Sequence, residues 1–437
     1  MSTELIGLIG TILVIILMFL RVPVAFSMLT IGVIGIGLLS SFPAAFHAVS
    51  VDLYHQFASY QLSVVPLFAL MGFLASYSGL GVKLFNMADK FLGHIKGGLC
   101  LAVQLACAIF GAISGSTSAT IVTIGPVAYP EMKKNGYDDT LATACIASGA
   151  NLDALIPPSV VLVVYGIATE VSVGSLLIAG ILPGILLMLL FMATSWILIT
   201  RKPSLAPTKA KAPWSERWNS LFHGGVVQVL IVFLLSIGGI FLGWFTATEA
   251  GAVGAGGMFI VCLFGKNMSF KVLKDSLINA SRLTAMVFLL IACAMVFSRF
   301  FAMSRIPIFL GDLVSKMDTS KWLVFAVILF IYLILGMFID SLAMILLTIP
   351  VFYPIVVGSL GYDPIWFGIL IVLVLSMGSI TPPIGLNVFV MQGVLKTVPL
   401  YTIFRGIWPY VLAIVICCLI IIAFPSIATI LPGLLRG

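Results

Sequence analysis

Residues 148–159 read SGANLDALIPPS and residues 376–387 read SMGSITPPIGLN. Each stretch lies in nearly continuous apolar sequence, and each carries two adjacent prolines. Proline has no amide N–H and clashes with the carbonyl four residues back, so it interrupts a helix. Pro157 and Pro158 release the carbonyls of Asp153 and Ala154, and Pro382 and Pro383 release those of Gly378 and Ser379. In lipid, such an interruption is tolerable only where it is buried in protein or lines a wet cavity. The helix that restarts beyond the prolines points its positive dipole end at the break. Oxygen donors for a hard cation and a helix N-terminus for an anion are thus expected together, twice.

The surrounding composition explains why lipid is the relevant solvent. Of 437 residues, 61% are hydrophobic and 8% charged, against about 25% charged in soluble domains. A span needs about 20 apolar residues, and such windows run from residues 5–20 to residues 407–430, giving an expected ten to twelve spanning segments, some of them interrupted. The runs are continuous and not alternating, so an α-helical bundle is predicted and a β-barrel is not. Residues 1–20 lack a basic start and a small-residue cleavage site and read as the first span. The seven cysteines and four histidines have no metal-ligand spacing. The net charge of +7 fits basic cytoplasmic loops better than nucleic acid. Residues 201–218, RKPSLAPTKAKAPWSERW, carry five Lys or Arg and one Glu and read as a cytoplasmic linker between two halves.

Those halves are repeats. Gly111, Ser116, Thr123 and Ile124 recur at Gly336, Ser341, Thr348 and Ile349. Gly136-Tyr137-Asp138 recurs at Gly361-Tyr362-Asp363, and Pro157-Pro158 at Pro382-Pro383, every pair 225 residues apart. Tyr129 and Pro130 return one residue early, at Tyr353 and Pro354. Lys133 and Lys134 follow the first repeat's hairpin, whereas the matching segment of the second has no basic residue. Lys83, Lys90 and Lys96 precede the first hairpin with only Asp89 beside them, whereas Arg305, Lys316 and Lys321 are offset by Asp312 and Asp318. The positive-inside rule then makes the repeats inverted, the usual construction of alternating-access carriers.

Each repeat also carries a polar, small-residue patch, FGAISGSTSAT at 110–120 and LGMFIDSLAM at 335–344. The apolar arms around each patch are short for full spans, so two re-entrant hairpins are expected, turning near mid-bilayer. Asp153 and Asp340 are the carboxylates inside these motifs, each able to hold sodium or cycle a proton, with Asp340 at a hairpin tip the stronger candidate. Glu249 and Asp52 read as interfacial, and Arg282, Arg299 and Arg305 as snorkelling. Residues 82–96 and 269–282 have apolar positions at helical spacing with lysines opposite, as expected of helices lying in the interface. No nucleophile–base pair or phosphate-binding loop suggests an enzyme or an ATP-driven pump. A channel would need a continuous polar pore.

Taken with RVPVAFSM at 21–28, PLFALMGFLASYSGL at 66–80, HIKGGL at 94–99, IPPS at 156–159 and TPPIGLNVFV at 381–390, the chain resembles the large membrane subunit of the tripartite ATP-independent periplasmic (TRAP) transporters. The resemblance implies an elevator-type ion-transporter fold and sodium-driven import of an organic acid across the bacterial inner membrane. It also implies a small four-helix membrane subunit, separate because this chain starts at the large subunit's first span, and a periplasmic substrate-binding protein. Carried over by that resemblance, sodium binding falls to Ser114, Gly115, Ser116, Ser118, Asn151, Asp340, Ser341, Gly378 and Thr381. Substrate falls between the hairpin tips and double-proline loops, at Thr117, Pro157, Pro158, Pro382, Pro383 and Asn387. Sialic acid is the first expectation and a C4-dicarboxylate the second; a stand-alone carrier needing no binding protein is the alternative. The expected parts are N-terminal scaffold (1–80), repeat 1 (81–200), linker (201–220), scaffold with an arm helix (221–303), repeat 2 (304–405) and a last helix (406–437).

Overall fold

The computed structural model describes residues 2–222, 225–265, 268–316 and 320–434, with 313–316 as backbone alone. Asp318, part of the charge comparison between the repeats, lies outside them, as does the side chain of Lys316. The described residues are helical throughout, without strands. Six helices are long and apolar enough to cross a membrane: Tyr60–Tyr77, Val173–Arg201, Ala247–Phe264, Phe270–Met303, Ser341–Ser359 and Leu400–Ala423. Seven further apolar helices are 10–17 residues long. The uninterrupted spans are six among the described residues, and breaks divide the other apolar runs into shorter pieces, as expected of interrupted segments. The last span ends at Ala423, before Pro425, and not at residue 430.

Two groups of helices emerge. Phe270–Met303 packs along Val24–Leu39, Phe42–Phe57 and Val64–Tyr77 as the spine of a frame. It is one unbroken helix of 34 residues. The separate arm expected over 269–282 is the first turns of this helix, since neither Gly nor Pro follows Arg282 to end it. Asp52 accepts from Arg299 Nε at 2.8 Å and Nη2 at 2.5 Å, a bidentate pair joining two frame helices. Glu249 completes a capping box with Thr246.

The second group holds the repeats. The amphipathic stretch at 82–96 forms a helix, Leu80–Leu92, against the first hairpin, Gly98–Ser114 and Thr117–Lys134. The second hairpin is Lys321–Gly336 and Ser341–Tyr353. Local geometry repeats as the sequence does. Gly136 and Gly361 both have φ +76°, Asp138 and Asp363 both cap the following helix, and Pro157-Pro158 and Pro382-Pro383 are both cis. The single register slip between repeats also has a structural form. Pro354–Ser359 is a π-helix, whose wider turn absorbs the extra residue that this repeat carries between its Tyr-Pro and its Gly-Tyr-Asp. With that turn, the second leg of hairpin 2 reaches 19 residues and is not short for a span.

The linker is docked, not free. Lys209 donates to Asp89 Oδ2 at 2.9 Å and Glu131 Oε1 at 3.1 Å, and the Leu205 carbonyl accepts from Asp138 N at 2.9 Å. Burial alone would lower the Lys209 pKa, but the two carboxylates outweigh it and raise the ammonium above its ordinary value. A linker helix, Trp214–Phe222, lies against Leu80–Leu92, with Lys90 paired to Glu216.

Candidate functional site

The first hairpin turns because the helix Gly98–Ser114 ends at Gly115 in the left-handed region, φ +57°, where a side chain would be strained and would meet the Pro158 carbonyl. Ser116 then caps the second leg, its hydroxyl accepting from Ala119 N at 3.4 Å. In the second hairpin Asp340 performs that capping, accepting from Leu342 N at 3.0 Å.

Both double-proline segments break their helices. In repeat 1, Asp139–Gly149 runs into a 3₁₀ turn, Ala150–Ala154, and helix resumes at Val160–Thr169. In repeat 2, Pro364–Gly378 stops and Leu386–Leu395 resumes behind Gly385, φ +60°. The carbonyls released by the prolines are mostly reclaimed, which corrects the expectation of unpaired oxygens. Ala154 O accepts from Ser159 Oγ at 2.6 Å, Gly378 O from Thr381 N at 3.1 Å, and Ser379 O from Asn387 N at 3.0 Å. A buried carbonyl left alone would lose the free energy of its bond to water, so local donors fill in.

Between the four interruptions lies a cavity of about 270 Å³. Of the residues singled out in sequence, it brings together Gly115, Ser116, Thr117 and Ser118 from hairpin 1, Asp340 and Ser341 from hairpin 2, and Asn151 and Asn387 from the two breaks. The half-helix starts Val160 and Leu386 also face it. Ser114, Gly378, Thr381 and the four prolines do not line it. Ser114 sits behind the first tip, donating to Asp153 Oδ2 at 3.2 Å. Gly378 packs on the backbone of Gly336, and the Thr381 hydroxyl turns back to Met377 O at 2.6 Å.

Asn151 joins the repeats. Its Nδ2 donates to Ser376 O at 2.8 Å, and its Oδ1 accepts from Asn387 Nδ2 at 2.5 Å and Ser379 Oγ at 3.1 Å. Ser376 was missed in sequence, although it is the repeat counterpart of Asn151 and could have been found that way; Ser379 was named for its carbonyl, whereas its hydroxyl is what reaches Asn151. Thr120 was missed as well. With Ser114 it donates to Asp153 Oδ2, tying the start of one hairpin leg to the end of the other. Asp153 Oδ1 is buried and has no hydrogen-bond partner. A Cβ added at Gly111 would strike this carboxylate and sit 3.1 Å from the Asp153 Cα. The counterpart of that contact, Gly336 on Gly378, joins backbone to backbone. Leu283 and Met286 of the long frame helix close one wall, which no motif could have announced.

Hydroxyl, amide and carboxylate oxygens dominate the polar lining, and no Lys or Arg is among the residues lining the cavity. These are hard donors suited to a hard cation, with two helix N-termini available to an anion. Two hairpins and two interrupted helices meeting in one cavity, inside a bundle of apolar helices, define a membrane transporter of the broken-helix type.

Comparison with known proteins then places it. Residues 11–427 match the family described as "Tripartite ATP-independent periplasmic transporter, DctM component". The chain is 35% identical over 393 residues to the C4-dicarboxylate TRAP transporter large permease protein DctM of Pseudomonas aeruginosa, covering 90% of each chain. It is 31% identical over 422 residues to the sialic acid TRAP transporter large permease protein SiaM of Vibrio cholerae, covering 96% of this chain and 97% of that one. Its fold is similar to the crystal structure of the Alcanivorax borkumensis YdaH transporter, with a TM-score of 0.61 at 17% identity, over 89% of this chain and 90% of the other. The chain belongs to the family of TRAP transporter large permease subunits, multi-pass proteins of the inner membrane.

Proposed function

We propose that this subunit imports an organic acid anion, a sialic acid or a C4-dicarboxylate, coupled to sodium and by elevator-type alternating access. Substrate is delivered by a periplasmic binding protein, and a small four-helix subunit completes the membrane complex. The observation that carries the reading is the convergence of both hairpin tips and both helix breaks on one cavity whose polar lining is mostly oxygen. Hydroxyls at Ser116, Ser118 and Ser341 and the carboxylate of Asp340 supply sodium ligands, and the buried carboxyl of Asp153 holds Ser114 and Thr120 in place behind the first tip. The substrate carboxylate is met by hydroxyls and by the amide ends of the half-helices at Val160 and Leu386, since no basic side chain lines the cavity. The repeats stand in inverted orientation, and their helices move as one body against the frame built on Phe270–Met303. The relatives named for C4-dicarboxylates and for sialic acid both handle organic acids, which supports the substrate class.

The test is uptake by proteoliposomes carrying this subunit with its small membrane partner, given the binding protein and an imposed sodium gradient. Asp340→Ala and Ser116→Ala are each expected to abolish or weaken sodium-dependent uptake while the protein stays folded. Full sodium-coupled uptake in both variants refutes the ion-site assignment, and undiminished uptake without the binding protein refutes the delivery step.

A further inference from the structure

The linker helix Trp214–Phe222 has three distinct faces. Arg217, 4% exposed, donates to the Ala212 carbonyl at 3.0 Å and lies 3.3 Å from His94 Nδ1; with Ser220 and Leu221 it forms the side turned to the helix Leu80–Leu92. Trp214, Trp218 and Phe222, four residues apart in turn, make a second stripe. They are 59%, 50% and 53% exposed, and the rings of Trp218 and Phe222 stack at 5.6 Å. Ser215 and Asn219 occupy the remaining, polar side, and Glu216 at its edge pairs with Lys90 of the helix Leu80–Leu92.

In water, three large aromatic side chains on a nine-residue helix would be an exposed apolar patch with nothing to offset it. The chain on either side says what covers them. The span Val173–Arg201 ends 13 residues before Trp214, and an apolar helix starts at Val226. Four residues of chain reach at most about 14 Å, so Phe222 is held near the membrane surface. Arg201, Lys202 and Lys211 of the same linker are exposed cations, the charge that anionic lipid headgroups attract. Tryptophan at that depth keeps its indole body among acyl chains and its N–H among headgroups.

We propose that the linker helix is an interfacial anchor. Its Trp214–Trp218–Phe222 stripe enters the headgroup region of the cytoplasmic leaflet, its Ser215–Asn219 side faces the cytosol, and its Arg217 side holds the helix Leu80–Leu92. The inter-repeat linker is thereby a lipid-binding element that seats the start of repeat 1 on the membrane surface.

The intact membrane complex, in nanodiscs containing phosphatidylglycerol, gives the test. All seven native cysteines are buried, so a nitroxide can be placed at Trp218→Cys or at Asn219→Cys, and its collisions with oxygen and with a water-soluble nickel chelate compared. The anchor requires oxygen to dominate at 218 and nickel to dominate at 219. Nickel dominating at both positions places the stripe in water and overturns the proposal. Protection of 218 from both quenchers means that protein covers the stripe, which also overturns it. Trp218→Asp should lower the power of oxygen to relax a probe at Phe222→Cys severalfold; an unchanged value counts against lipid insertion.

Discussion

The contact between Gly111 and Asp153 shows how little tolerance single positions have here. Gly111→Ala is expected to force the buried carboxylate off Ser114 and Thr120, an overpacking that costs about 1–3 kcal/mol, and to remove most uptake. Gly256, where an added Cβ would meet nothing within 4 Å, is the control, and Gly256→Ala, inside the helix Ala247–Phe264, should leave uptake unchanged and the thermal midpoint no lower. Asn151→Ala takes the acceptor from Asn387 Nδ2 and Ser379 Oγ. Ser379 Oγ keeps the Ser376 carbonyl at 2.8 Å and Asn387 Nδ2 keeps Ser379 Oγ at 3.0 Å, so the lost hydrogen bonds cost about 1 kcal/mol, and the expected readout is a thermal midpoint a few degrees lower in detergent, with uptake abolished. At this scale the sequence named residues from four separate segments that the structure gathers round one cavity. Eight of the positions singled out do line it. It did not show that Ser114 and Thr381 sit one layer back, because a motif names its members without saying which way each side chain turns.

Among the helices, the basic linker changed most between expectation and structure. Charge composition marked it as a loop, but could not reveal that Lys209 reaches two carboxylates on different helices. The ammonium has a raised pKa, so its stabilising contribution is complete below the ordinary lysine value of about 10.4 and is lost as pH rises through the higher folded value. Between pH 6 and 9 the cleavage rate of the linker by a non-specific protease, corrected for the protease's own pH dependence, should therefore be flat. Lys209→Ala should raise it several-fold across that whole range. Equal rates for the variant and the parent chain would mean that the two ion pairs do not hold the linker. The π-turn at Pro354–Ser359 was legible in outline, since the Tyr-Pro pair came one residue early. Sequence alone does not say whether such a slip becomes a bulge, a loop or a wider turn.

Over the whole molecule, the cavity has walls on both groups of helices: Met286 belongs to the frame and Leu342 to the second hairpin. A flexible bis-maleimide joining Met286→Cys to Leu342→Cys should stop uptake while leaving the two single variants active. Transport at the parental rate in fully cross-linked protein would exclude motion of the hairpin past the frame. The long frame helix was the element least visible in sequence, because its amphipathic start imitates a separate surface helix and nothing local says the two pieces are continuous. The repeats were the most visible, and they differ in one respect. At the contact of hairpin with broken helix, the acid of repeat 1 is Asp153, whose counterpart is Gly378; the acid of repeat 2 is Asp340, whose counterpart is Gly115. Each repeat carries one acid at its junction, on the opposite member of the pair. The two halves are complements and not spares, and a chimaera built from two copies of either half would carry its acids on the same kind of element twice and on the other not at all.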